Sequence, residues 1–256
     1  MEPWTLRETG EGRVMVEILG VTFCELTEDE VFAACTDYIA SGAPHVIITA
    51  GPEFVMRLQR EPSLFELTRR ADLVTPDGIG IVLAAKWRGR PLPERVTGVE
   101  LALRLLAAAA GHQWRVYLLG ASETSLQGAL EALRVRYPEL LIQGRNGYFK
   151  AAEEADVVAA IQAFRPDLLL VGLGQPRQDV FIDRYRDQLA VPLAMGVGGT
   201  IDIISGTVER APVWAQRMKV EWLYRLVREP KRLRRQLVLP QFAFAAWREG
   251  RALRRK

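Results

Sequence analysis

Short apolar runs alternate with longer amphipathic stretches through most of the chain. Residues 45–49 (HVIIT) and 167–171 (DLLLV) each contain an uninterrupted apolar run typical of a buried strand, and each precedes a glycine-containing turn. Helical patterns separate such runs, for example from Ser122, at an expected N-cap position, to Tyr137. Continuous apolar strands that alternate with helices are typical of a parallel sheet covered on both faces. The pattern therefore predicts an α/β fold with a Rossmann-like sheet.

Two further regions frame this alternation. Alternating residues on either side of Gly20 predict a small hairpin, and Thr27 with Glu30 forms a capping box that predicts the start of a helix. Beyond residue 209 the composition shifts to Trp, Arg and Leu in amphipathic segments. We therefore predict a Rossmann-like domain over residues 13–209 and a basic, amphipathic helical appendage over residues 210–256.

The net charge of +3 conceals a strong asymmetry between these two parts. Residues 210–256 contain 14 Lys or Arg and three Asp or Glu, which leaves 20 basic and 28 acidic residues for positions 1–209. The appendage is therefore +11 and the body −8. An acidic body with a basic tail indicates an anionic partner for the tail: a membrane surface, a phosphate-bearing ligand or nucleic acid.

Composition excludes several classes of protein. Two cysteines cannot form a disulfide framework, so we expect Cys24 and Cys35 to be buried thiols. Two histidines and no cysteine cluster argue against a zinc site, and we predict no metal and no cofactor. The N-terminus is polar and does not resemble a signal peptide, and no apolar run reaches the length of a transmembrane helix.

Polar, glycine-rich segments follow four of the predicted strands. In a doubly wound sheet such segments converge on one rim, where ligands bind. They are TAGPE (49–53), TPDG (75–78), GLGQPRQD (172–179) and GVGGTID (196–202).

The segment 172–179 has the features of a phosphate cradle. Gly172 and Gly174 would let the backbone approach a ligand, and the following helix would offer its free N–H groups. Gln175, Arg177 and Gln178 would bring further donors, although a tight turn and a solvated first turn explain the same residues. The spacing is neither a nicotinamide fingerprint nor a P-loop, and no D-x-D pair is present. A bound pyrophosphate would thus require arginine and backbone donors.

Asp77 and Arg95 are the other candidates. Asp77 lies at a strand end between Pro76 and Gly78, which suits a general base but equally suits the N-cap of the next helix. Arg95 precedes the capping residue Thr97 and could reach an anion, or could be an ordinary surface arginine.

Taken together, these residues resemble the WecG/TagA/CpsF glycosyltransferases over roughly residues 15–240. The long C-terminal block is the most specific part of the resemblance. The matching blocks are TAGPEF (49–54), ADLVTPDGIGIV (71–82), ERVTGVEL (94–101), VGLGQPRQDVFI (171–182), GVGGTIDIISG (196–206) and RAPVWAQRMKVEWLYRLVREPKRLRR (210–235).

The resemblance implies an inverting, metal-independent transfer of a sugar from a UDP-sugar to a polyprenyl-diphosphate-linked sugar. It implies Asp77 as the catalytic base, Thr49 and Gln178 as pocket residues, and Arg95 near the diphosphate. The tail arginines match an appendage thought to meet the membrane and close over the site; they are Arg225, Arg228 and Arg232. Two departures are Gly51, where many members have Asn, and Asp179, where Glu is commoner.

We therefore expect a hexosyltransferase that is cytoplasmic and peripheral on the inner face of the cell membrane. A homo-oligomer is possible, and we expect no nucleic acid partner. Two alternatives remain open at this stage: a Rossmann-fold oxidoreductase, against which the failed glycine fingerprint counts, and a nucleic-acid-binding protein that uses the basic tail.

Overall fold

A computed structural model of the protein describes residues 15–209, 211–212 and 237–253. The chain begins with the predicted hairpin, an antiparallel pair formed by β1 (Met15–Ile18) and β2 (Val21–Cys24). Leu19 and Gly20 form its turn with positive φ angles of 48° and 78°. One face of the hairpin is buried in the core of the protein.

The centre of the fold is a six-stranded sheet in which every pairing is parallel. The strand order is β4-β3-β8-β7-β5-β6. The chain leaves β7 toward the β4 edge and leaves its neighbour β5 toward the β6 edge, so a crevice is expected at the carboxyl ends of β7 and β5. This arrangement confirms the predicted fold class. The strands are β3 (His45–Ala50), β4 (Leu73–Pro76), β5 (Arg115–Gly120), β6 (Leu141–Arg145), β7 (Leu168–Gly172) and β8 (Leu193–Gly196).

Helices cover both faces of this sheet. One hydrophobic core lies between the sheet and the hairpin, α2, α4, α7, α8 and α10, and the other lies between the sheet and α1, α5 and α6. The helices are α1 (Glu28–Ser41), α2 (Pro52–Arg60), α3 (Phe65–Arg70), α4 (Ile79–Trp87), α5 (Gly98–His112), α6 (Glu123–Arg136), α7 (Glu154–Phe164), α8 (Arg177–Leu189), α9 (Thr200–Ile204) and α10 (Val238–Leu253).

Local signals in the sequence explain where several elements begin. Thr27 caps α1 with the predicted capping box, in which its hydroxyl accepts from the Glu30 amide and its own amide donates to the Glu30 carboxylate. Cys24 and Cys35 are free and buried, as predicted, and burial raises the pKa of the Cys24 thiol to about 12. Burial raises the pKa of the Cys35 thiol as well, so neither thiol is expected to act as a nucleophile near neutral pH.

Helix α10 packs against α2 and α4 and belongs to the same core as the sheet. Its buried stripe is Phe242, Ala246 and Gly250, and Gly250 approaches α4 so closely that a Cβ atom would lie 2.8 Å from the Trp87 carbonyl oxygen. The domain boundary at residue 209 stays a prediction. In the part of the chain that the structure describes, every helix is too short or too polar to cross a bilayer.

Candidate active site

A cleft of about 1710 Å³ opens at the carboxyl ends of the parallel strands. It is lined by the loops that follow β3, β4, β5, β7 and β8. Every predicted site residue among the described residues lines it: Thr49, Asp77, Arg95, Gly172, Gly174, Gln175, Arg177 and Gln178. The three predicted tail arginines, Arg225, Arg228 and Arg232, lie outside the described residues.

Asp77 is held at the end of β4 by its neighbours on both sides. Its backbone amide donates to the Ala50 carbonyl of β3 over 3.1 Å, and its carboxylate Oδ2 accepts the backbone N–H of Gly98 over 3.3 Å. The N-cap residue of α4 is Gly78, so Asp77 does not occupy the N-cap position that the alternative gave it. The carboxylate instead meets the first residue of α5, inside the cleft.

Thr49 converges with Asp77 on the same point. A Cβ atom at Gly98 would lie 2.9 Å from the Thr49 hydroxyl oxygen. A glycine at position 98 therefore lets the Thr49 side chain lie against the start of α5, where Gly98 also donates to Asp77. At Gly51, a Cβ atom would lie 2.8 Å from the Asp77 carbonyl oxygen. The ends of β3 and β4 are therefore too close for a larger residue at position 51 without a backbone shift.

Arg95 is not a surface arginine. Its side chain is only 14% exposed, and one guanidinium nitrogen lies 3.7 Å from the Glu100 carboxylate. Glu100 belongs to the first turn of α5, whose N-cap Thr97 accepts the Glu100 amide as the capping motif predicts. The cationic side chain is thus fixed beside the N-terminus of α5 and lines the cleft with Asp77.

The glycine loop after β7 joins three strand ends. The side-chain Nε2 of Gln175 donates to the Thr49 carbonyl over 3.1 Å, which ties this loop to β3. Gly172 leaves room for the loop after β8, because a Cβ atom there would lie 2.7 Å from the Gly198 carbonyl oxygen. Gly174 adopts φ 77°, and no atom lies within 4 Å of where a Cβ would stand, so glycine is favoured here by backbone conformation rather than by space.

Gln178 is almost fully buried and accepts the Gly198 amide over 3.1 Å with its side-chain oxygen. This hydrogen bond holds the loop after β8 against the first turn of α8. Its neighbour Asp179 is 3% exposed, and among the described residues no hydrogen bond of ordinary geometry reaches either carboxylate oxygen. Burial raises the pKa of Asp179 to about 7. Its own backbone N–H and the side-chain amides of Gln175 and Gln178 act in the opposite direction and lower the pKa in part.

Arg177 turns away from the glycine loop toward the loop after β6. Its guanidinium donates to the carbonyl oxygens of Gly147 and Phe149, each over 3.2 Å, and lies over the Phe149 ring. The first-turn arginine thus fastens this loop to the start of α8. A direct contact of Arg177 with substrate stays a prediction.

The electrostatic character of the cleft follows from the helix ends around it. The first residues of α2, α4, α5 and α8, and the N-cap of α6, all line it. Free N–H groups and the positive ends of helix dipoles favour an anionic ligand. Among the described residues no group of three or more His, Cys, Asp or Glu side chains could hold a metal ion, and metal independence stays a prediction.

Sequence reasoning missed part of this site. The Gly98 amide, which donates to Asp77, could have been predicted as a donor, because the Thr97 capping motif already marked the start of α5. The exposed Tyr148 and an apolar region on α4 and α10 also line the cleft, and they carry no local signal because distant parts of the chain bring them there.

Comparison with known proteins agrees with this geometry. Residues 16–256 match the model of the family described as "Glycosyl transferase WecG/TagA/CpsF family". A protein from Bacillus spizizenii is 35% identical over 218 residues, covering 85% of this chain and 84% of its own length. One from Staphylococcus aureus is 31% identical over 242 residues, covering 94% and 95%.

Both relatives carry the name N-acetylglucosaminyldiphosphoundecaprenol N-acetyl-beta-D-mannosaminyltransferase. The family match spans nearly the whole chain, including every described site residue. It favours glycosyl transfer over both the oxidoreductase and the nucleic-acid-binding alternatives. This chain belongs to the WecG/TagA/CpsF family of glycosyltransferases.

Proposed function

We propose that this protein transfers N-acetylmannosamine, or a related hexose, from a UDP-sugar to a polyprenyl-diphosphate-linked sugar in cell-surface polymer synthesis. The observation that carries the proposal is the placement of Asp77, with Thr49 and the α5 N-terminus, in a cleft bordered by helix N-termini. The names of the two relatives specify the acceptor as an N-acetylglucosaminyl diphospholipid.

The reaction requires one base and one stabilised leaving group. An acceptor hydroxyl loses its proton to the Asp77 carboxylate and attacks the anomeric carbon of the donor. The bond from that carbon to the diphosphate oxygen breaks with inversion, UDP departs with the electron pair, and Asp77 later returns its proton to water. General-base assistance of this type contributes about 10²–10⁴-fold.

Fixed donors would stabilise the departing diphosphate without a metal ion. Arg95 supplies a positive charge beside α5, and the glycine loop with the start of α8 supplies backbone N–H groups. Removing one well-placed donor of this type typically costs about 3–4 kcal/mol of transition-state stabilisation. The arginines Arg225, Arg228 and Arg232 would add to this set if the appendage closes over the cleft.

A membrane surface is the proposed location of the acceptor. The +11 charge of residues 210–256 attracts an anionic leaflet, and each basic residue near such a surface contributes about 1 kcal/mol. Helix α10 adds an exposed aromatic pair, Phe244 and Trp247, with Arg251 over the Trp247 ring. Tryptophan with arginine is a common membrane-interface combination. We place the enzyme on the cytoplasmic face, where UDP-sugars are available.

A donor screen tests the proposal. The full chain is offered several UDP-sugars with an N-acetylglucosaminyl-diphosphate-polyprenol, and UDP release is measured with and without excess EDTA. Turnover with UDP-N-acetylmannosamine that persists in EDTA is the expected result. Turnover that requires a divalent cation would refute the arginine and backbone stabilisation, and the absence of turnover with every sugar would refute the function.

Asp77→Asn is the matched test of the base. The amide oxygen can still accept the Gly98 N–H, so the fold and UDP binding are expected to persist while turnover falls about 10²–10⁴-fold. Asp37→Asn, an exposed aspartate on α1, is the control and retains turnover. Near-native turnover of Asp77→Asn would remove Asp77 from the mechanism.

A further inference from the structure

The cleft changes character along its length. Near β7 and β8 it is lined by glycine loops and polar side chains, whereas on the β4 side it is bordered by α2, α4 and α10. On that side the side chains of α4 and α10 that line the cleft are apolar. The apolar arm, as we call this region, consists of Ile79, Leu83, Trp87, Val238, Leu239 and Ala243.

The apolar arm is accessible rather than packed away. Leu83 is 41% exposed, and the other five residues are half-buried, in contrast to Phe242 beneath them, which is 2% exposed. Ile79, Leu83 and Trp87 follow one another at intervals of four residues, so they form one stripe about 12 Å long on α4. Such a stripe at the wall of a cleft favours an apolar ligand over water.

The apolar arm starts beside the proposed base. Ile79 lies two residues after Asp77, on the helix that follows β4. At the other margin, α2 contributes Arg57 and Arg60, which also line the cleft and are exposed. Arg57 pairs with Glu61, and Arg60 donates to Gln241 of α10. A polar reaction centre is thus continuous with an apolar wall that has cationic groups at its edge.

We infer that the apolar arm binds the first isoprene units of the lipid-linked acceptor. This inference rests on the proposed function. Of the two substrates, the UDP-sugar has no apolar segment, whereas the acceptor joins a polar diphospho-sugar to a hydrocarbon chain. With the sugar hydroxyl at Asp77, the hydrocarbon chain runs along α4 toward α10. On α10 the exposed Phe244 and Trp247 lie one residue and four residues beyond Ala243. The hydrocarbon chain of the acceptor would therefore leave the cleft on the side that we propose to meet the membrane.

Two acceptors that differ only in hydrocarbon length test the inference in detergent solution, without vesicles. One carries a long polyprenyl chain on its N-acetylglucosaminyl diphosphate, and the other carries a methyl group. Leu83→Gln is expected to raise KM for the long-chain acceptor about tenfold more than KM for the methyl acceptor, because a glutamine amide disfavours hydrocarbon contact. Leu83→Met should restore the wild-type ratio of the two KM values.

Leu141→Gln is the matched control. Leu141 is a 47% exposed leucine on the edge strand β6, outside the cleft, so its substitution should leave the KM ratio unchanged. Equal KM ratios for wild type and Leu83→Gln would overturn the apolar arm as the lipid site while leaving the proposed function intact. Failure of the wild-type chain to use either acceptor would refute the proposed function and the inference with it.

Discussion

Replacement of the buried carboxyl group of Asp179 by an amide should stabilise the protein, and increasingly so as the pH rises. In the folded state Asp179 keeps its proton up to a pKa of about 7, because burial disfavours the charged form. In the unfolded chain the proton leaves near the ordinary value of 3.8. Between these values the folded state binds more protons, so the stability of the wild-type protein falls as pH rises from about 4 to about 7.

The magnitude follows from the difference between the two pKa values. A separation of about three pKa units corresponds to about 4 kcal/mol of lost stability above pH 7, at 1.36 kcal/mol per unit. Water entry and local relaxation reduce such penalties in proteins, so this figure is an upper bound. Neighbouring positive charges do not cancel this penalty. Two arginines line the small cavity next to Asp179, but Arg70 pairs with Asp183 and Arg186 donates to Asp72.

Asparagine matches aspartic acid in size and does not ionise. The unfolding free energy of Asp179→Asn relative to wild type should therefore be near zero at pH 4 and rise to as much as about 4 kcal/mol in favour of the variant at pH 8. Urea unfolding at pH 4, 5, 6, 7 and 8 measures it, provided that the slope with denaturant is the same for both proteins.

Asp183→Asn is the control on the same helix. It removes an exposed ion pair with Arg70, so a loss of at most about 1 kcal/mol is expected. A free-energy difference between Asp179→Asn and wild type that stays constant from pH 4 to pH 8 would refute the reasoning, because the Asp179 carboxyl would then have the same pKa in the folded and unfolded states.

Two further predictions concern α10. Phe242→Ala should lower the unfolding free energy by about 3–5 kcal/mol in denaturant titrations, because it empties a core position between α10 and α4; a loss below about 1 kcal/mol would contradict that packing. The double variant Phe244→Ser with Trp247→Ser should weaken sedimentation with anionic vesicles while leaving thermal stability nearly unchanged, and Val135→Ser, an exposed apolar residue on α6, should do neither. Undiminished vesicle binding of the double variant would exclude this face from membrane contact.

Local patterns predicted most of the secondary structure. The apolar run HVIIT became β3, one residue longer than predicted, and DLLLV became β7, displaced by one residue. Thr27 and Thr97 marked helix starts correctly, because a capping side chain and the amide it accepts lie within one turn of each other. The carboxyl-end rule for parallel sheets then placed the polar loops on one rim before any strand order was known.

Local sequence patterns could not predict the order of the strands or the direction in which particular side chains point. The insertion of β8 between β3 and β7 is decided by contacts among residues far apart in the chain. For the same reason, nothing local to Arg177 indicates that it turns to the carbonyl oxygens of Gly147 and Phe149. In the sequence, Asp179 stood out only because glutamate is commoner at this position. Its burial could not be predicted, because it depends on how α8 packs on the sheet.

The observed strand order also bears on where the two substrates of the proposed reaction would lie. Inversion requires the base and the departing diphosphate on opposite sides of the anomeric carbon. Asp77 follows the edge strand β4 and the glycine loop follows β7. The axes of these two strands are three spacings apart, about 14 Å, although the Gln175 side chain of the loop reaches the Thr49 carbonyl at the end of β3. In the proposed reaction the sugar would lie between Asp77 and the glycine loop, with Arg95 beside α5 and the loop amides both within the cleft that holds the diphosphate. An acceptor that enters along α4 and a donor that is held over β7 would then meet above β3 and β8, where Thr49 and the Gln178-bound loop form the floor of the cleft.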